Sequence, residues 1–328
     1  MKSFLAGAIG GLALAVAATA PVAQAQNRPV VVYTAFADGV NALAAAYKAQ
    51  TGTEVQVVAA GSGELVRRVQ AESARPLGDV IVSVGGEAID AAPQLFARYE
   101  PAGADRILPS IRVSQNWIPF SVTLSTTVMV NTRLVPANEI PTTWRELADP
   151  KWKGKIAFAG ADRSGSALQQ LMQILHVFGE REGWDLFGKM FDNFVVTGSS
   201  GAVPRGVAQG EYAIGLTLED FAQRFIDGGS PAQIVYPREG ISFAADAMAL
   251  IANGPNADGG RRFLDFVASP AGQEIIVKQF GRRPIRSDVA GPANARPADQ
   301  LPVNNFTVEW SNANNKPILD RYNRLARR

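Results

Sequence analysis

The chain has no cysteine and a single histidine, His176, among 328 residues. The first absence removes disulfides, thiolate metal sites and cysteine nucleophiles, so the fold must be held by its core alone. The second rules out a histidine-based metal centre, and any Ser-His-acid triad would have to use His176. That residue follows Leu175 inside an amphipathic run, far in sequence from the strand ends, and reads as structural. Charge of one sign is missing as well. With 32 basic against 30 acidic residues, the net charge of +2 argues against a nucleic-acid partner or a polybasic membrane binder. No phosphate-loop lysine motif occurs. Gly61-Ser62-Gly63-Glu64-Leu65-Val66 lacks the third glycine of a dinucleotide fingerprint, and Gly198-Ser199-Ser200-Gly201-Ala202 lacks the last glycine of a nucleophile elbow. Neither an enzyme nor a cofactor is expected.

What is present begins with Lys2, a soft apolar run from Phe4 to Ala20, Pro21 and Ala23-Gln24-Ala25. This pattern predicts a secretory signal peptide over 1–25, cleaved after Ala25. Its glycines and alanines make it weakly apolar, and it is short for a membrane span of roughly 20 residues. No later stretch is apolar enough to cross a bilayer, so direct membrane insertion is not expected and the mature chain is expected to be soluble outside the cytoplasmic membrane. About 300 mature residues suffice for a large core and usually divide into two domains.

From residue 30 the pattern alternates. Val30 to Tyr33 predicts a buried strand, Val40, Leu43, Ala44 and Tyr47 a helix ended by Gly52, and 54–58 a second strand. A helix with Leu65, Val66 and Val69 and a strand over 79–84 follow. Residues 117–130 read as one or two extended segments, and Pro141-Thr142-Thr143-Trp144 as a Thr-capped helix start. The grammar then restarts: a strand at 155–159, a helix over 167–178, a helix with Trp184, Phe187, Met190 and Phe191 inward, and strands at 194–196 and 212–216. A strand at 247–251 leads to a helix with Phe263, Phe266 and Val267. An irregular crossing segment is expected over 291–315, before a last helix around 318–325. Such alternation predicts an α/β fold of two lobes, each a mixed, mostly parallel sheet flanked by helices. The lobes are expected to comprise 26–120 with 245–285, and 121–244 with 286–328.

Three strand-to-helix junctions are rich in glycine and serine: Ala59-Ala60-Gly61-Ser62-Gly63, Asp162-Arg163-Ser164-Gly165-Ser166 and Thr197-Gly198-Ser199-Ser200-Gly201. Helix N-termini present unpaired N–H groups and the positive end of the dipole, and small residues let an anion approach them. Any one such turn is equally what a local cap would look like; it is the repetition in both halves that predicts an anion-binding cleft. Ligands of open α/β sheets bind beyond the carboxyl ends of the strands. One wall would then hold Thr34, Ala35, Ser62, Gly63 and Gly85, and the other Ser164, Gly165, Ser166, Ser199, Ser200, Thr217, Glu219 and Asp220. Arg163 and Arg205 sit near the turns as candidate phosphate partners or ordinary surface arginines.

Five segments carry a family resemblance: Val31-Val32-Tyr33-Thr34-Ala35, Thr51-Gly52, the passage from Trp144 to Lys155, the run from Val207 to Gly215, and the stretch from Phe263 to Pro270. With them the chain resembles the type II periplasmic substrate-binding proteins of ABC importers, in the group of ferric-iron, 2-aminoethylphosphonate and hexose-phosphate carriers. The resemblance implies a two-lobed fold, a ligand cleft between the lobes, a monomer, and an ABC permease as partner. Ferric-binding members carry adjacent tyrosines after the segment matching Ile214-Gly215, where this chain has Leu218-Glu219-Asp220-Phe221. The departure resembles the organophosphorus branch and implies a small anionic solute, with no metal. Serines would hold its head, and Glu219, Asp220, Glu239 and Asp246 would accept hydrogen bonds from its tail. Three alternatives remain: Glu219 or Asp220 as helix caps with Glu239 a solvated turn residue, an iron site built from Glu219, Asp220 and Glu239, and, in other classes, a secreted serine hydrolase or a docking adaptor.

Overall fold

A computed structural model describes residues 28–293, 295, 296 and 300–327. The expected signal segment lies outside them. The first lobe opens with β1 (Val30–Thr34), α1 (Ala37–Thr51), β2 (Val55–Ala59), α2 (Ser62–Ala71), β3 (Val80–Gly85) and α3 (Gly86–Asp90). A short β4 (Phe96–Ala97) and a long β5 (Ile118–Leu124) follow. The chain then enters the second lobe with β6 (Thr127–Asn131), β7 (Ile156–Ala159), α4 (Gly165–Phe178), α5 (Glu180–Phe191), β8 (Phe194–Thr197), α6 (Ala202–Gln209), β9 (Ile214–Thr217), α7 (Glu219–Asp227) and β10 (Ala232–Val235). It returns through β11 (Phe243–Ile251), α8 (Ala257–Ala268) and α9 (Pro270–Phe280), and ends in α10 (Val308–Leu325).

The first sheet runs β2-β1-β3-β11-β4 with β5 also on β11, and the second β10-β6-β9-β7-β8. Within each, only three strands are parallel: β2, β1 and β3 in one, β8, β7 and β9 in the other. These are the strands joined by crossover helices; β1, β3, β7 and β9 are buried almost throughout, which is why their sequences are near-continuous apolar runs, while β2 and β8 at the sheet edges are partly exposed. The strands that carry the chain between lobes are antiparallel, so each sheet is mixed, as expected, with parallel pairing confined to those three strands.

Pairing also moves the lobe boundaries. β5 stays hydrogen-bonded to β11 as far as Leu124, paired with Phe243, so the first crossing falls at Ser125-Thr126 rather than at 120. The second crossing spans 236–242, and the two touch: Thr126 Oγ1 accepts from Ser242 N at 3.0 Å. Residues 286 and 287 still pair with the first lobe, through the bridge Ile107 to Arg286 and the bond from Ser287 N to Arg106 O at 2.9 Å. The segment that follows reaches the second lobe's core at Phe306 and along α10, through Ile318 and Tyr322.

Two helix expectations change. Thr143 does cap a turn, its Oγ1 accepting from Glu146 N at 3.2 Å while Glu146 Oε2 accepts from Thr142 N at 2.6 Å. The element is only a 3₁₀ turn, Arg145–Ala148, because Pro150 forces Asp149 out of the helical region. The last helix starts at 308, ten residues earlier than read. Thr307 caps it by accepting from Trp310 N at 3.2 Å, and Pro317 is tolerated inside it.

The second lobe's core centres on Phe187, which is fully buried and lies 5.9 to 6.3 Å, ring to ring, from Phe158, Trp184, Phe191, Phe194 and Tyr322. Replacing it with alanine should cost about 3–5 kcal/mol of stability, read from the midpoint of chemical unfolding. Val196→Ala, at a half-exposed strand position, should leave that midpoint nearly unchanged.

Candidate functional site

All three parallel strands of each lobe end in turns that face the gap between the sheets. The turns after β1, β2 and β3 and after β7, β8 and β9 line one cavity of about 420 Å³. Ala35, Ser62 and Gly85 reach it from the first lobe, and Ser164, Gly165, Ser166, Ser199 and Ser200 from the second. The helices that open there are largely uncapped: among the described residues no side chain accepts from the first turns of α1, α2, α6 or α7. Most of their N–H groups are therefore available to an acceptor in the cleft, the exceptions being in α6, where Ala202 N donates to Ser199 O at 3.2 Å and Pro204 has no N–H. α4 differs, since Ser164 Oγ accepts from Ala167 N at 3.3 Å, so here the local cap is real and coexists with a place in the wall.

The lobes touch at the same turns. A Cβ on Gly61 would lie 2.0 Å from Arg163 O, and one on Gly63 would lie 2.8 Å from Asp162 O. On Gly165 it would approach Ser62 Oγ to 3.0 Å. Arg67 Nη1 donates across the gap to Asp162 O at 3.2 Å, and Asp38 pairs with Arg224 at 3.4 Å. The glycines thus serve the contact between backbones as much as access for a solute.

The remaining expected site residues lie elsewhere. Thr34 is buried, with Oγ1 accepting from Phe36 N at 2.9 Å, and Gly63 belongs to the contact between lobes rather than to the cavity wall. Thr217 is buried inside β9. Glu219 accepts from Tyr236 Oη at 2.6 Å and pairs with Arg283 at 3.7 Å. Burial raises its pKa, an effect partly offset by that hydroxyl and by Arg283. Asp220 binds Arg282 at 2.7 Å. Glu239 accepts from Trp144 N at 2.9 Å and Arg145 N at 3.4 Å, tying down the 3₁₀ turn. These three carboxylates have separate partners and do not form a shared oxygen-ligand set. Among the described residues no group of three or more potential ligands could hold a metal ion. His176 hydrogen-bonds Asn305 at 3.0 Å and lies against Phe306 and Trp310, joining α4 to the C-terminal helix.

The structure adds residues the sequence did not single out. Arg163 and Arg205 do line the cavity, joined by Arg224 and Arg282. Arg282 is 2% exposed, bonded to Asp220 and Asp246, with its Cζ 3.8 Å from the centroid of the Phe36 ring. Its sequence signal, a basic pair after the helix-ending Gly281, is indistinguishable from an ordinary helix C-terminus. Ser83, the one polar residue in the apolar run of β3, was the only legible hint of a polar node there.

The family model for bacterial extracellular solute-binding proteins matches residues 42–302. The chain belongs to this family. Iron uptake protein A1 of Synechocystis is 25% identical over 76% of this chain and 73% of its own. A Salmonella typhimurium periplasmic protein named for 2-aminoethylphosphonate binding is 24% identical over 74% and 73%. An uncharacterized Haemophilus influenzae protein is 32% identical over 143 residues, so the match spans 41% of that protein. In fold, the periplasmic binding protein AfuA of Actinobacillus pleuropneumoniae, solved with fructose-6-phosphate, superposes with a TM-score of 0.84 at 22% identity, covering 90% of this chain and 97% of that one. This solute-binding chain therefore has the two-lobed type II architecture, and its cavity occupies the cleft between the lobes.

Behind Gly85 sits Glu87, 5% exposed, with Oε1 lacking a partner among the described residues. Burial, reinforced by the Asp246 and Asp90 carboxylates, pushes its pKa from 4.5 up to about 7. Between those two values the folded chain keeps a proton that the unfolded chain has released, so stability falls as pH rises through the window. Glu87→Gln should flatten this slope, with a melting temperature above that of the parent at pH 8 and a difference that vanishes near pH 4.5. Calorimetric scans at the two pH values would show it.

Proposed function

We propose that this protein captures a small organophosphorus anion, a phosphonate or a sugar phosphate, between its lobes in the periplasm and delivers it, as a monomer, to an ABC permease. The observation that carries this reading is the convergence of uncapped helix N-termini and three arginines, Arg163, Arg205 and Arg224, on one serine-lined cavity. Each helix end contributes ~0.3–1 kcal/mol to holding an anion, and more where solvent is excluded, so several acting together make a tight site. Leu218-Glu219-Asp220-Phe221 supplies no phenolate, which favours phosphorus over ferric iron. The lobes would open about the crossings at Ser125-Thr126 and 236–242 and close on the ligand.

Thermal-shift and calorimetric titration with 2-aminoethylphosphonate, hexose phosphates, phosphoglycerate, thiamine and ferric citrate tests this. An organophosphorus ligand at about a hundred times its Kd should add about 2.7 kcal/mol of stability. Arg205→Ala should weaken that ligand about tenfold, with the melting temperature of the free protein unchanged. Stabilisation by iron alone, with a visible charge-transfer band, would overturn the proposal. Gly61→Ala should weaken binding through closure, because its methyl group meets Arg163 O; small-angle scattering with saturating ligand should then report a larger radius of gyration than in the parent.

A further inference from the structure

Of the four carboxylates the sequence offers as acceptors for a ligand tail, only Asp246 lines the cavity. It lies on β11 where the register shifts against both neighbouring strands, which turns its side chain out of the regular ladder. Oδ2 is fully occupied: Ser83 Oγ donates at 2.7 Å and Arg282 Nη1 at 2.7 Å. Oδ1 has no hydrogen bond among the described residues and is not sealed in the interior, so it is the oxygen left to the cavity.

The supports of Asp246 are rigid. Ser83 has φ of +56° inside a strand, a conformation that a serine adopts only when its surroundings hold it there. Its Oγ also accepts from Arg282 Nη1 at 3.0 Å, and the same Nη1 lies 3.4 Å from Ser121 Oγ. Arg282 in turn is locked by Asp220 and by the face of Phe36. One guanidinium faces two carboxylates, so the node is one positive charge short. Asp38 and Glu64 also line the cavity, but Asp38 is 71% exposed and Glu64 lies on the open surface of α2, with no comparable scaffold.

We propose that Asp246, pinned by Ser83 and Arg282, determines specificity: its free oxygen receives a hydrogen-bond donor, an ammonium or a hydroxyl, on the tail of the captured anion. A phosphate or phosphonate with a bare alkyl tail would leave that carboxylate unpaired and desolvated, and is rejected for that reason. The assignment rests on the organophosphorus reading of the cleft.

Two matched pairs test it by calorimetric titration of the purified protein. 2-Aminoethylphosphonate against ethylphosphonate probes the ammonium, and glycerol 3-phosphate against propyl phosphate probes the hydroxyl. In at least one pair the donor-bearing member should bind about tenfold or more tightly. Asp246→Asn should bring that ratio to within about threefold of unity, by weakening the donor-bearing member and easing the rejection of the bare one. Binding of the bare member at least as tight as in the parent shows that the variant is folded. Ser83→Ala retains the carboxylate and its ion pair but frees its orientation, and should lower the ratio about threefold. It also carries the test should the Asn variant fail to fold. A ratio near one in the parent, an unchanged ratio in both variants, or equal weakening of both members would overturn the role of Asp246 while leaving the organophosphorus reading intact. No binding of any of the four compounds would overturn both.

Discussion

A guanidinium with almost no exposure to solvent holds the two lobes in their observed relation. Arg282 follows α9 on the first lobe, and its partners come from both sides: Asp246 and Ser83 from the first sheet, Asp220 from the first turn of α7 on the second lobe. Burying a charge of this kind costs several kcal/mol in desolvation, recovered only where geometry and partners are complete. Separating the lobes would remove Asp220 from the set and pull Phe221 off Phe36, whose rings now lie 5.8 Å apart. The node therefore adds little net stability and a great deal of geometric definition. It fixes where the wall formed by α7 stands relative to the turns of the first lobe, and hence the width of the cavity.

That width explains why the turns are made of glycine and serine. In isolation each turn admits two readings, a local cap or an anion seat, and the structure adds a third, the near-contact of two backbones. At Gly61 the added methyl would overlap a carbonyl of the opposite lobe, so no other residue fits this arrangement of the lobes. The small residues follow from closeness first. Exposed amide nitrogens at the helix ends follow from it too, because a turn with no side chain standing over it leaves its N–H groups facing the gap.

Legibility varied with how local the cause was. Strands buried on both faces and helices with one apolar stripe, such as that of Leu168, Leu171, Met172 and Leu175, depend on neighbours in sequence and were readable. The start of the last helix was not, because Pro317 and a run of asparagines outweighed the cap at Thr307 in any local reading. Antiparallel pairing of β5 and β11 joins segments more than a hundred residues apart, and nothing in either one announces it. The same distance hid the carboxylates. Glu219, Asp220 and Glu239 look alike in sequence, and only their partners, Tyr236, Arg282 and the backbone of Trp144 and Arg145, decide that none faces the cavity. Serines at strand ends were easier, since the chain's alternation already says where strand ends gather.

The charges around the cavity divide between its two kinds of wall. Arg163, Arg205 and the uncapped helix ends belong to the turns, whereas Asp246 belongs to the crossing strands, with Glu87 behind Gly85. Burial raises the pKa of both of these carboxylates above their ordinary values, because neither has enough positive charge beside it: Arg282 only partly offsets the desolvation of Asp246, which in turn pushes Glu87 higher. Arg163 and Arg205 thus stand at the turns and an incompletely compensated carboxylate at the hinge side, although Asp38 and Glu64 add exposed negative charge on the first lobe's turns. On the proposed reading, a solute that is negative at one end and donates hydrogen bonds at the other would set its head against the arginines and helix ends of the turns, and its donor end against Asp246, relieving the charge deficit around Arg282.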